Sequence, residues 1–125
     1  MAHQFVLLVD DKADALDWMT LSFDGAGIAV RTAMSVDQAI DILHSPSLPS
    51  LIVADLVMLS RTGGDFLRLL RADTLLGAVP VMILSAAPDP GEAGRMADAV
   101  LRKPVNPAAL IDAAKNLLRA APVYV

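Results

Sequence analysis

Five side chains in this 125-residue chain stand where apolar runs stop, and together they suit one kind of chemistry. Phe5-Val6-Leu7-Leu8-Val9 runs into Asp10 and Asp11, and Leu51-Ile52-Val53-Ala54 runs into Asp55. Val79 to Leu84 ends on Ser85-Ala86, and Ala99-Val100-Leu101 ends on Arg102-Lys103-Pro104. Short apolar runs bounded by proline, serine and glycine read as strands buried on both faces rather than as helices. In a parallel sheet the C-terminal strand ends share one edge, and open α/β sheets hold their ligands there. Three carboxylates, one hydroxyl and one amine would therefore meet. Acids within about 4–5 Å of each other repel by roughly 3–4 kcal/mol per pair at an effective dielectric near 20. Such a cluster calls for a counter-charge. Hard oxygen donors without cysteine point to Mg²⁺, or Mn²⁺ in its place, with the lysine offsetting the remainder. The matching reaction is phosphoryl transfer to a carboxylate: metal and amine neutralise the phosphoryl oxygens while the hydroxyl donates to one of them.

Helices must return the chain between those strands if the ends are to meet. Lys12 to Phe23 has helical spacing, with Ala15, Met19, Ser22 and Phe23 on one face, Trp18 at its edge, and Gly25 and Gly27 as the stop. Ile28-Ala29-Val30 is a short strand candidate. Ser35-Val36-Asp37-Gln38 reads as a capping box opening a helix whose stripe is Val36, Ala39, Ile40 and Leu43. Pro46 and Pro49 end it. After Asp55 comes a loop with Gly63-Gly64, then a helix carrying Phe66, Leu67, Leu69 and Leu70. Pro80 is tolerated only near the start of its strand. Pro88-Asp89-Pro90-Gly91 is poor helix material, and Glu92 to Ala97 leaves room for barely two turns. Asn106-Pro107 places an N-cap before a proline at the first helical position, and Leu110, Ile111, Ala114, Leu117 and Leu118 stripe the final helix. The order is strand–helix repeated five times. It predicts a single α/β domain over 1–125, a doubly wound (βα)5 unit on a five-stranded parallel sheet with a shortened or irregular fourth helix.

Composition narrows the function classes. The chain is long enough for one core. Apolar residues make up 55%, yet none of the runs approaches the ~20 needed to cross a bilayer, and the N-terminus does not read as a signal peptide. The absence of cysteine excludes disulfides and thiolate metal sites. A formal charge of −4 argues against nonspecific nucleic-acid binding. The expectation is a cytoplasmic domain that contacts neither membrane nor nucleic acid. His3 and His44 have no partner at metal spacing and read as surface residues. Trp18 reads as a partly buried helix residue.

On these residues the sequence resembles a two-component response-regulator receiver domain, of the chemotaxis-regulator type, over essentially its whole length. The resemblance rests on Asp10-Asp11 after the first strand, Asp55 ending the third, Ser85-Ala86 ending the fourth and Lys103-Pro104 ending the fifth. Gly63 also fits the family's Asp-x-x-Met-Pro-x-x-x-Gly pattern after Asp55. It implies a flavodoxin-like strand order, 2-1-3-4-5. It also implies Asp55 as phosphoacceptor, with Asp11 binding Mg²⁺ directly, Asp10 largely through water, and Asp55 and the backbone carbonyl of Val57 completing the protein ligands. Ser85 would be the switch hydroxyl, Lys103 would pair with the phosphoryl oxygens, and Pro104 would follow a cis peptide. The implied donor is a histidine kinase or histidine phosphotransfer protein, docking over Asp14 and Trp18 and the loop Pro104-Val105-Asn106. The implied output is binding of a downstream protein target by a regulatory domain, not turnover of a free substrate.

Departures from the family pattern carry expectations of their own. Val100 stands where members have the Tyr or Phe partner of the hydroxyl switch, so coupling to the surface beside the fourth strand should differ. The interval from Ser85 to Lys103, 103 − 85 = 18 positions, is a few short of the family's, which again shortens the fourth helix. Dimerisation, where it occurs, is expected to use another face. Leu59 replaces the common proline after Met58. Val57 and Ala87, two beyond Asp55 and Ser85, cannot orient a hydrolytic water through their side chains, so loss of the phosphoryl group should be slow. A degenerate receiver that binds partners without phosphorylation is the alternative. A dehalogenase-type phosphatase would need a second Asp where Val57 stands. A flavodoxin-like cofactor loop would not carry Asp-Asp-Lys-Ala-Asp after the first strand.

Overall fold

A computed structural model describes residues 4–60 and 65–120 of the chain. The elements run β1 (Val6–Val9), α1 (Ala13–Gly25), β2 (Val30–Ala33), α2 (Val36–Leu43), β3 (Leu51–Asp55), α3 (Leu56–Ser60) and α4 (Asp65–Ala72). A 3₁₀ turn (Leu76–Ala78), β4 (Val81–Ser85), α5 (Gly91–Met96), β5 (Ala99–Arg102) and α6 (Pro107–Ala120) follow. The five strands form one parallel sheet ordered β2-β1-β3-β4-β5, the doubly wound order expected.

Every residue of β1, β3 and β4 is buried, which is why they read as unbroken apolar runs. The strand period of two splits their side chains between two cores. Leu7, Val9, Ile52, Ala54 and Ile83 pack with Leu43, Phe66, Leu67 and Leu70 from α2 and α4. Val6, Leu8, Val53, Met82 and Leu84 pack with Leu16, Met19 and Phe23 of α1 and Leu110 and Ala114 of α6. Each fully buried Leu, Ile or Phe in these cores contributes about 1.5–3 kcal/mol, so the strand ends rest on a rigid platform.

Local signals set the helix ends. Gly27, at φ 75, closes α1: its N–H donates to the carbonyl of Asp24, and the N–H of Ile28 donates to that of Phe23. This is the glycine-terminated helix end in which the residue after the glycine also packs back, and Ile28 does so on the same core as Phe23. Ser35 Oγ accepts from the N–H of Gln38, and Gln38 Oε1 in turn accepts from the N–H of Met34 at 2.8 Å, one residue earlier than the usual box. Asn106 Oδ1 accepts from the N–H of Ala108 at 2.7 Å and caps α6.

Four local expectations are corrected. The second strand lies at Val30–Ala33 rather than Ile28–Val30, because Arg31 and Thr32 are exposed on an edge strand and carry no apolar signal. The first helix buries Leu16 beside Met19 and Phe23. The segment after Asp55 is helical over Leu56–Ser60 before α4 begins; Gly63-Gly64 lie outside the described residues, as does His3. Leu69 is exposed on the outer face of α4, while Phe66, Leu67 and Leu70 face the core. The helix before β5 is six residues long and buries none of them, in line with the shortened element expected.

Candidate functional site

The register fixes which residues stand side by side at the C-terminal edge. Val9 of β1 pairs with Ala54 of β3, so Asp10 and Asp55 follow as lateral neighbours. Asp55 pairs with Leu84 of β4, and Ser85 pairs with Arg102 of β5, which places Ser85 and Lys103 one step further along. The chain thus gathers Asp10, Asp55, Ser85 and Lys103 from four strands.

Asp55 is only 3% exposed. Its Oδ1 accepts from Lys103 Nζ in an ion pair, and its Oδ2 accepts from the N–H of Met58 at 3.2 Å. That amide is supplied by α3, so the short helix that sequence periodicity did not show helps to hold the carboxylate. Asp10 is 2% exposed, and its Oδ1 accepts from the N–H of Lys12 at 2.9 Å. Burial raises its pKa above the ordinary aspartate range; the Lys12 N–H and the charge of Lys103 pull it down, and the charges of Asp55 and Asp11 push it up. Asp11 is half-buried at the entry to α1.

Lys103 stands at the end of β5, its backbone N–H donating to the carbonyl of Ser85 at 2.8 Å, and the Lys103–Pro104 peptide is cis. The Ser85 side chain is buried within its own loop, where Oγ accepts from the N–H of Ala87 at 3.0 Å. Val57 is 58% exposed on α3, immediately beyond Asp55. Val100 is 38% exposed on β5.

A cavity of about 540 Å³ opens next to the acids, between α1 and the loop after β5. Trp18, Met19, Leu84 and Val105 supply apolar walls, and Asp10, Lys12 and Lys103 its polar end. Of the expected partner surface, Trp18, Pro104 and Val105 line this cavity; Asp14 and Asn106 are exposed nearby in sequence but do not. Lys12 was not singled out from the sequence, although it follows the acidic pair directly.

No three His, Cys, Asp or Glu side chains among the described residues are grouped to hold a metal ion. Lys103 takes one Asp55 oxygen, and Asp10 spends one on a backbone N–H. What the edge offers is a pair of adjacent acids, Asp10 and Asp55, and a third, Asp11, at the entry to α1; burial, and after it the charges of the other two, raises Asp10. In donor chemistry this suits Mg²⁺, which takes one or two carboxylates and keeps several waters.

A doubly wound sheet ordered β2-β1-β3-β4-β5, with buried, adjacent acids and a paired lysine at its C-terminal edge, has the receiver-type fold. Comparison with known proteins agrees. The response regulator receiver domain family matches residues 6–115, and the chain belongs to that family. It is similar to the DNA-binding response regulator MtrA of Mycobacterium tuberculosis, 30% identical over 123 residues, covering 94% of this chain and 51% of that protein. The chain therefore spans about half the length of the curated relatives it matches. Among solved structures, the response regulator receiver protein from Burkholderia phymatum is 31% identical with a TM-score of 0.77, covering 96% of this chain and 99% of that one. The chemotaxis response regulator CheY4 of Vibrio cholerae shares the fold, with a TM-score of 0.82 at 24% identity over 93% of this chain and 99% of that one. Domains of this family are regulatory signalling units, and none of the described helices is long and apolar enough to cross a membrane.

Proposed function

We propose that this receiver domain is a phosphorylation switch with Asp55 as acceptor. The observation that carries the reading is a buried carboxylate at the end of β3, held by Lys103 from β5 with Asp10 adjacent. One Asp55 carboxylate oxygen attacks phosphorus of a phosphohistidine. The new P–O bond forms as the P–N bond breaks, and the histidine nitrogen leaves with its electron pair and takes a proton from solvent. Bound Mg²⁺ would neutralise phosphoryl oxygens, held through Asp11 and Asp55, through Asp10 by way of water, and through the backbone carbonyl of Val57. Lys103 stays within reach of the same carboxylate and pairs with the charge that arrives on it. Ser85 redirects its hydroxyl proton from the Ala87 carbonyl, a long 3.5 Å contact, to a phosphoryl oxygen, which reshapes the loop after β4.

The donor is a histidine kinase or histidine phosphotransfer protein that seats against α1 and the loop after β5, with an apolar side chain in the cavity beside Trp18 and Val105. Output passes to a downstream protein by binding, in the cytoplasm, without contact to nucleic acid by this domain. The decisive experiment incubates the protein with acetyl phosphate and Mg²⁺ and weighs the intact chain. Wild type should gain one phosphoryl group, and Asp55→Asn should gain none. Wild type that stays unlabelled would instead support a receiver that works without phosphorylation.

A further inference from the structure

At the opposite end of the sheet from the acids, one arginine ties three elements together. Arg71, in the last turn of α4, donates through Nε and Nη2 to the carbonyl of Met96 at 3.1 and 2.7 Å. Its Nη1 donates to the carbonyls of Gly77 and Val79 at 3.1 and 3.2 Å. Nη2 also meets Asp98 Oδ2 at 2.9 Å, the residue just before β5. The same Asp98 oxygen accepts from the N–H of Val81 at 2.8 Å, and the Asp98 N–H donates to the carbonyl of Val81 at 2.8 Å. Asp98 is thus bonded twice to the first residue of β4.

That end of β5 needs fixing. The strand has four residues, pairs only with β4, and is half-buried in alternation; the helix beside it buries nothing. Only Ala99 and Leu101 on one face reach a core, and neither is fully buried, so the apolar pattern specifies register less strongly here than in β1, β3 and β4. A slip of one residue would carry Lys103 about 3.3 Å along the sheet and turn its side chain to the other face, away from Asp55. Setting register is the best-attested use of a partly buried charged pair. We infer that Arg71 and Asp98 form a clasp that sets the register of β5 and so positions Lys103 against Asp55. Neither residue touches Asp55; both act through the strand.

Two measurements test it, and only the second rests on the proposed phosphorylation. In the first, urea unfolding of Lys103→Met, Asp55→Asn and the double variant gives the coupling between the two side chains. That coupling should change the unfolding equilibrium about 10-fold in the parent and less than about 3-fold with Asp98→Ala or Arg71→Lys. Lysine keeps the charge of Arg71 but loses its fork. Asp98→Asn, which retains the accepting oxygen, should restore the parent value, and where Asp98→Ala does not fold Arg71→Lys carries the measurement. In the second, labelling by acetyl phosphate with Mg²⁺ should slow about 10-fold or more in Arg71→Lys. In a Lys103→Met background the same change should cost less than about 2-fold, since no ammonium remains to be placed. An unchanged Lys103–Asp55 coupling in the folded clasp variants overturns the inference, as does equal slowing in both backgrounds. If the parent takes no label at all, the phosphorylation reading fails while the coupling measurement still decides the clasp.

Discussion

Replacing Lys103 with methionine keeps the length and much of the apolar stem of the side chain and removes one charge. The loss leaves Asp55, 3% exposed, with the Met58 N–H still donating to it and with Asp10 beside it. Breaking a fully buried ion pair from one side costs about 3–5 kcal/mol. The Lys103 side chain is 31% exposed, so water reaches the vacated position and the cost falls to about 2 kcal/mol. For 125 residues, an unfolding entropy of about 2.1 cal/mol/K per residue turns that into a drop in Tm of roughly 8 °C. The pH dependence follows from Asp10, whose pKa is raised in the folded state and which the charge of Lys103 pulls down. A raised carboxylate makes ionisation costly to the fold: the cost is absent below the ordinary value of 3.8 and grows as pH rises through the raised value. Removing Lys103 enlarges that cost, so the variant's deficit should be largest at pH 7 and shrink at pH 4 by the share that Asp10 contributes. Urea unfolding at both pH values, followed by fluorescence of Trp18, the single tryptophan, measures it. A loss under about 0.5 kcal/mol at pH 7, or one that does not shrink in acid, would refute the account of the edge as an acid cluster offset by lysine.

Other outcomes follow from the same edge. Asp10→Asn should stabilise the protein at pH 7 by about 1 kcal/mol, because it removes a charge that burial disfavours first and the charges of Asp55 and Asp11 disfavour second; the gain should vanish below pH 3.8, as thermal melts across pH will show. Millimolar Mg²⁺ should raise the Tm of wild type and raise that of Asp11→Asn less, because a ligand at ten times its dissociation constant adds about 1.4 kcal/mol; equal shifts in both proteins would remove Asp11 from the site. Phosphorylated protein should lose its label slowly in Mg²⁺, since Val57 and Ala87 offer no side-chain hydrogen bond to a hydrolytic water; Val57→Asn should speed the loss severalfold in an intact-mass time course, and fast loss from wild type would contradict the assignment.

The parts of the fold legible in sequence were those whose environment is uniform. β1, β3 and β4 are buried throughout and announce themselves as apolar runs. β2 and β5 lie at the edges, where half the side chains meet water, and β2 was accordingly placed too early. The cap at Ser35 and the stop at Gly27 were readable because a single residue type satisfies each need. The short helix after Asp55 was not, because a five-residue turn has too little length to display a period.

By itself, the order of residues determined the alternation of strands and helices, the candidate acids, hydroxyl and amine at the strand ends, and the weakness of the fourth connecting helix. These are local facts: burial on both faces and the incompatibility of proline with a helix act over a few neighbours. Tertiary structure alone decided that Lys103 closes on Asp55, that Met58 supplies its second contact, and that Arg71 reaches across to Met96 and Asp98. Those contacts join residues as many as 48 positions apart, and pairing at such separations is set by sheet register and core packing rather than by the local pattern.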